Sequence, residues 1–209
     1  MYIVVVMTSP YINTILNAHV TIEPNQMNNS LYKHIKNNLI GRLEKKCYKD
    51  YGFITKIFEI TEKSSAMINP DIPTGCATIN VLFSCRLCNP IKQKQIICKI
   101  VKINHMLINA QNGPITVIIA TNTLNTNIFF QDYKANKLMA KAGGGTVPVT
   151  EGTFIKVTVQ GKNFNDKDSV ILVTGIIDEV VTDEDIIKNT YQDEFNYSDD
   201  LVKYGDYIK

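Results

Sequence analysis

The chain has 209 residues, 44% of them hydrophobic and 20% charged, with a formal net charge of +2. These values suit one large or two small folded domains and exclude wholesale disorder. No stretch reaches the roughly 18–20 uninterrupted apolar residues that span a bilayer, and the apolar start MYIVVVMTSPYI has no basic n-region, so an intracellular protein is expected.

Thr14 to Ile22 alternates weakly and meets Glu23-Pro24, which reads as a strand stopped by proline. Met27, Leu31, Ile35, Leu39, Ile40 and Leu43 recur every three or four residues, so a helix is expected over Met27–Lys46. Asn28, Asn29 and Ser30 supply acceptors for its start, and Lys45 and Lys46 suit the dipole at its end. Gly52 turns the chain into a strand at Phe53–Ile60, and Ser65–Ile68 reads as a short one. The breakers Asn69-Pro70-Asp71 and Pro73-Thr74-Gly75 precede the longest strand, Cys76–Leu87. One helix against a small antiparallel sheet is an α+β unit, closed by Asn89-Pro90.

From Gln95 the character becomes all-β. Strands are expected at Ile96–Ile103, Met106–Asn109, Thr116–Ala120, Thr153–Gln160 and Ser169–Ile177, separated by turns such as Asn112-Gly113-Pro114, Gly143–Gly145 and Asn165–Asp168. Five short strands of this kind suggest a barrel of the OB type. The domains are therefore placed at 1–90, 91–182 and an acidic extension over 183–209. Net charge is +6 over 1–100, +1 over 101–182 and −5 over 183–209. That gradient suggests different partners for the two ends, a tail that shields a basic surface, or a solvated charge run.

No residue set converges on catalysis, and neither a metal nor another cofactor is called for. Cys47, Cys76, Cys85, Cys88 and Cys98 are an odd number of thiols, expected to be reduced and mostly buried. Cys85-Arg86-Leu87-Cys88 has the CxxC spacing but ends a strand and has no second CxxC, so packing is preferred over zinc. Gly143-Gly144-Gly145-Thr146 lacks the Lys-Ser/Thr of a phosphate loop. His19, His34 and His105 stand beside no candidate nucleophile, and Asp183-Glu184-Asp185 has no partner ligands. The remaining signal is aromatic and basic: Phe129, Phe130, Tyr133 and Lys134 in a long barrel connection, and Lys156, Lys162 and Phe164 on or near a later strand. OB barrels bind single strands by stacking bases on exposed aromatics beside a cationic groove, although one of Phe129 and Phe130 is expected in the core.

The order of these segments resembles one family, the stalk subunit of multisubunit DNA-dependent RNA polymerases: the seventh subunit of eukaryotic polymerase II and its archaeal counterpart. The resemblance rests on Cys47 after the helix, Tyr51-Gly52-Phe53 opening a strand, the Pro73-Thr74-Gly75 loop and the Asn89-Pro90 boundary. In the barrel it rests on Gly113-Pro114, Glu151-Gly152-Thr153 through Val159 to Gly161, and Thr174-Gly175-Ile176-Ile177. It departs around Asn104-His105-Met106 and in the acidic extension past Asp183. This divergence, with the Asn, Ile and Lys bias, resembles a version encoded by a large DNA virus. The resemblance implies a truncated RNP-like domain before an OB barrel, and a non-catalytic subunit. Polymerase docking near the clamp would involve Gly52, Phe53, Asp71, Pro73, Thr74 and Gly75, with Asp71–Gly75 as the inserted tip. The barrel would touch nascent RNA. Cellular relatives pair with a small helical partner subunit. The implied location is host cytoplasm and virion for a viral protein, or the nucleus for a cellular one. The alternative expectation is a free-standing single-stranded RNA-binding OB-fold protein.

Overall fold

The computed structural model describes residues 9–68, 74–132, 137–142 and 145–182. Strand β1 (Tyr11–Ile22) starts three residues before the expected Thr14, because its pairing runs on to Tyr11 opposite Cys88. Helix α1 (Leu31–Leu43) is shorter than the periodicity suggests. At its front, Pro24–Gln26 forms a 3-10 turn and Asn28 Oδ1 takes the Ser30 N–H at 2.8 Å, a local bond that competes with helix. At its back, Glu44 is extended and Lys45 adopts φ 60°. Ile35, Leu39 and Leu43 form the buried stripe, each contributing about 1.5–3 kcal/mol by leaving water.

The chain then forms β2 (Lys46–Tyr48), β3 (Gly52–Lys63), β4 (Met67–Ile68) and β5 (Ala77–Cys88). The sheet runs in the order β1-β5-β3-β2, with β4 also pairing β5. Its register puts Leu16 opposite Phe83 and Ile60 opposite Phe83 on the face that α1 covers. The β3–β5 register shifts between Ile54 and Lys56, Ile57 and Glu59, and Ile60 and Glu62. The helix and the residue that ends it stabilise these bulges: Ile57 N–H donates to Glu44 Oε2 at 3.0 Å, and Lys36 Nζ donates to the Phe58 carbonyl at 2.8 Å.

Residues 89–94 lead to the second unit. Strands β6 (Gln95–Ile103), β7 (Leu107–Asn112) and β8 (Ile115–Ala120) form a meander. A small three-stranded sheet follows, made of β9 (Phe129–Asp132), β10 (Lys137–Ala142) and β11 (Gly145–Pro148). The sequence pattern shows only a connection there, with Gly143–Gly145 as a loop, yet Gly145 pairs with Ala142 and opens β11. Then come β12 (Phe154–Asn163) and β13 (Ile171–Val180). The barrel closes in the order β12-β13-β8-β7-β6 and back to β12. Its β8–β13 pair is parallel over Ile171–Thr174 and the other pairs are antiparallel, the connectivity of an OB-type barrel.

Gly175 marks the tightest point of the barrel wall. A Cβ there would sit 2.4 Å from Val157 Cγ1 and 3.1 Å from the Thr158 carbonyl oxygen. Gly175→Ala is therefore expected to cost about 1–3 kcal/mol through overpacking. A lower denaturant midpoint at unchanged slope would show it, and an unchanged midpoint would refute the close packing.

Candidate functional site

The two units meet at the outer edge of β2. Cys47 N–H donates to the Asp168 carbonyl at 2.7 Å, and Lys167 N–H returns to the Cys47 carbonyl at 2.8 Å. Lys49 N–H donates to Asp166 Oδ1 at 2.9 Å. Lys49 and Lys167 both have positive φ, 46° and 70°, a strained conformation that aims their N–H groups across the junction. The barrel loop after β12 thus behaves as one more rung beside β2. Behind this ladder, Tyr11, Cys47, Phe53 and Cys88 share one apolar cluster with the barrel interior. The Tyr11 hydroxyl lies 3.1 Å from Asn112 Oδ1, and Asn112 Nδ2 donates to the Ile97 carbonyl at 2.6 Å.

This geometry locates the residues expected to dock a polymerase. Gly52 and Phe53 are buried at the junction and present no surface. Gly52 adopts φ +131°, and a Cβ would lie 2.5 Å from the Cys88 carbonyl oxygen, so only glycine lets β3 approach β5 here. Thr74 and Gly75 are exposed, with Gly75 in the left-handed region at φ +65°. Asp71 and Pro73 lie outside the described residues. Met67 and Ile68, on the other side of the loop, are 74% and 60% exposed. The sequence reading missed that apolar pair because two residues carry no periodicity.

Among the described residues expected to bind RNA, Lys162 and Phe164 are neighbours, while Phe129 and Phe130 lie on β9 and Lys156 lies further along β12. Phe129 is 3% exposed and belongs to the core, whereas Phe130 is 39% exposed on the small sheet. A buried ring offers no face to a base. Tyr133 and Lys134 lie outside the described residues. Lys156 is paired with Glu179 across β12 and β13. Lys162 donates to the Asn89 side chain at the junction and lies 5.9 Å from the Phe164 ring centroid. Burial and then Lys92 nearby lower the Lys162 pKa. A different group stands outward on the barrel: Lys99 lies 5.9 Å over the Phe154 ring, one strand across from it, with Lys102 exposed further along β6. Strand alternation alone marks Lys99 and Phe154 as outward neighbours once the β6–β12 register is known.

The thiols are packing groups. Burial pushes Cys47 up to about 11, with Asp168 and Asp166 adding to it, and Cys85 up to about 12. Burial also raises Cys88 and Cys98 above the ordinary thiol range. Among the described residues, no cluster of His, Cys, Asp or Glu is arranged to hold a metal ion.

Residues 18–73, which run from within β1 through α1, β2, β3 and β4, match the family model described as the SHS2 domain found in the N terminus of Rpb7p/Rpc25p/MJ0397. A protein of Acanthamoeba polyphaga mimivirus, provisionally named DNA-directed RNA polymerase subunit L376, is 26% identical over 178 residues. That match spans 84% of this chain and 86% of the mimivirus protein. The first unit is similar to that SHS2 domain, and the chain as a whole to the mimivirus protein. The mimivirus match reaches past the SHS2-like unit into the barrel, so both units share that likeness.

Thiol chemistry tests the junction. In the folded protein, Cys76 should react quickly with a disulfide reagent, while Cys47, Cys85, Cys88 and Cys98 wait for unfolding. The pH dependence has a definite sign. The unfolded chain releases thiol protons near 9.0, whereas the folded chain holds those of Cys47 and Cys85 to about 11 and 12. Stability should fall as pH rises above 9, and a flat unfolding midpoint from pH 9 to 11 would contradict the buried thiols.

Proposed function

We propose that this protein is a non-catalytic subunit of a DNA-dependent RNA polymerase. In this reading its SHS2 unit docks the polymerase core near the clamp, and its barrel contacts nascent RNA. The observation that carries the reading is the joint match. One family model fits the N-terminal unit, and a relative named as a polymerase subunit spans both units. The exposed Thr74-Gly75 and Met67-Ile68 place accessible backbone and apolar side chains on either side of the proposed tip, which suits insertion between other subunits. Gly52 and Phe53 then act from inside, by holding β3 and β5 against the barrel.

For RNA, the surface we propose is the outer face of β6 with Phe154. Lys99 and Lys102 supply phosphate contacts there, and Phe154 supplies a ring. Phe130 remains an exposed ring on the neighbouring small sheet.

Two measurements test these parts separately. Replacing Thr74 and Gly75 with glutamate should reduce co-purification of the large polymerase subunits at least about tenfold, a loss of about 1.4 kcal/mol, while the barrel still unfolds cooperatively. Equal recovery would remove the tip assignment, and a tagged wild-type chain that recovers no large subunit would remove the function. For RNA, K99A/K102A should weaken single-strand binding and lower the salt slope by about 1–2. An unchanged slope would take β6 out of the RNA path.

A further inference from the structure

The chain leaves the barrel close to the lysines of β6. Strands β6 and β13 flank β12 and both run antiparallel to it, so they point the same way. Cys98 and Val180 stand level, each opposite Ile155. One step on, Lys99 is opposite Phe154, and Val181 N–H donates to the Phe154 carbonyl at 2.9 Å. Beyond Ile100, which bonds to Gly152 and Thr153, no described strand pairs with β6 on that side. Lys102 therefore lies about 10 Å farther in the direction in which the chain departs, and about two strand spacings to its side.

This face is basic and partly apolar. Lys99 lies over the Phe154 ring, Lys102 is exposed, and among the described residues neither has a carboxylate partner. Val101, between them in sequence, is 53% exposed, and Met106 in the turn that follows is 79% exposed. Residues 183–209 lie outside the described residues, and their sequence opens Asp183-Glu184-Asp185-Ile186-Ile187, acids first and apolar residues next. The surface has the same order, with the lysines first and Met106 beyond them. Two to four residues past Val181, the three carboxylates can extend about 7–14 Å from the exit, which brings them level with Lys102.

We propose that Asp183, Glu184 and Asp185 fold back over the outer face of β6 and pair with Lys99 and Lys102, so that a polyanion occupies this face only by displacing them. Charge, residue order and the point of exit together select this segment as the occupant. Exposed ion pairs are individually weak. Here a connection of two to four residues holds the carboxylates beside the lysines at an effective concentration on the order of millimolar.

The proposal rests on the RNA reading of β6 above only for what is displaced, and its test separates the two. The full chain is mixed with an isotope-labelled copy and treated with a carbodiimide, which joins amines to carboxylates in direct contact. The expected result is crosslinks from Lys99 or Lys102 to residues 183–185, within one copy and lost in about 1 M salt, where screening acts beyond about 3 Å. In parallel, D183N/E184Q/D185N should bind a single-stranded oligouridylate at least threefold more tightly than the unchanged chain at low salt. In a K99A/K102A background the same three changes should give no gain. An equal gain there would mean long-range repulsion instead of a cover, and would overturn the proposal. Crosslinks spread evenly over other exposed lysines, crosslinks only between copies, or none to β6 would overturn it too. Crosslinks to Lys99 or Lys102 with no change in oligouridylate affinity would uphold the contact and take β6 out of the RNA path.

Discussion

The backbone exchange between Cys47 and the loop holding Asp168 is the constraint on which the rest depends. A three-residue strand such as β2 has too little of its own pairing to persist, and one neighbour, β3, does not complete its hydrogen bonds. The barrel loop supplies the missing partners, and the apolar cluster behind it joins Phe53 and Cys88 to the barrel interior. The same junction consumes groups that a free barrel would have available. In OB barrels the loop between the last two strands is one of the places where oligonucleotides bind. Here that loop, Phe164–Val170, is committed to the SHS2 unit, and Lys162 is drawn in with it. The proposed RNA contact is therefore displaced toward β6, whose lysines Lys99 and Lys102 stand on the outside of the barrel.

Much of this fold is legible in the sequence, for an identifiable reason. The barrel strands and β5 bury one face each, so their alternation survives into the pattern; Val81, Phe83 and Cys85 share the α1 cluster. β2 is not legible, because Lys46-Cys47-Tyr48 is too short for a period and is a strand only through its tertiary partners. The small sheet β9–β11 is hidden for a similar reason. Its strands are four to six residues long, and Phe129 and Ala140 are its members in the barrel core. The sites divide along the same line. The Tyr51-Gly52-Phe53 motif lies within the stretch that matches the SHS2 model, yet a motif can mark an interior requirement as readily as a contact. Gly52 is there because the Cys88 carbonyl leaves no room for a side chain. Likewise the pattern cannot choose between adjacent Phe129 and Phe130, nor show that Lys156 is neutralised by Glu179 from another strand.

Helix α1 links these points, since its two flanks do different work. Its apolar stripe seals the sheet, a role that many helices could fill. Its polar flank is more specific. Asn38 and Arg42 satisfy the carbonyls of Thr21 and His19 on β1, while Lys36 and Glu44 satisfy the bulged groups of β3. Side chains of one helix and of the Glu44 that ends it thereby hold both strands that flank β5. The end of the sheet that carries Ile22 and Ala77 is thus fixed by polar contacts, and the end beside the barrel is fixed by apolar packing and the β2 ladder. Between these anchorages, the Tyr11 N–H at the start of β1 is held by Ser9 Oγ at 3.3 Å.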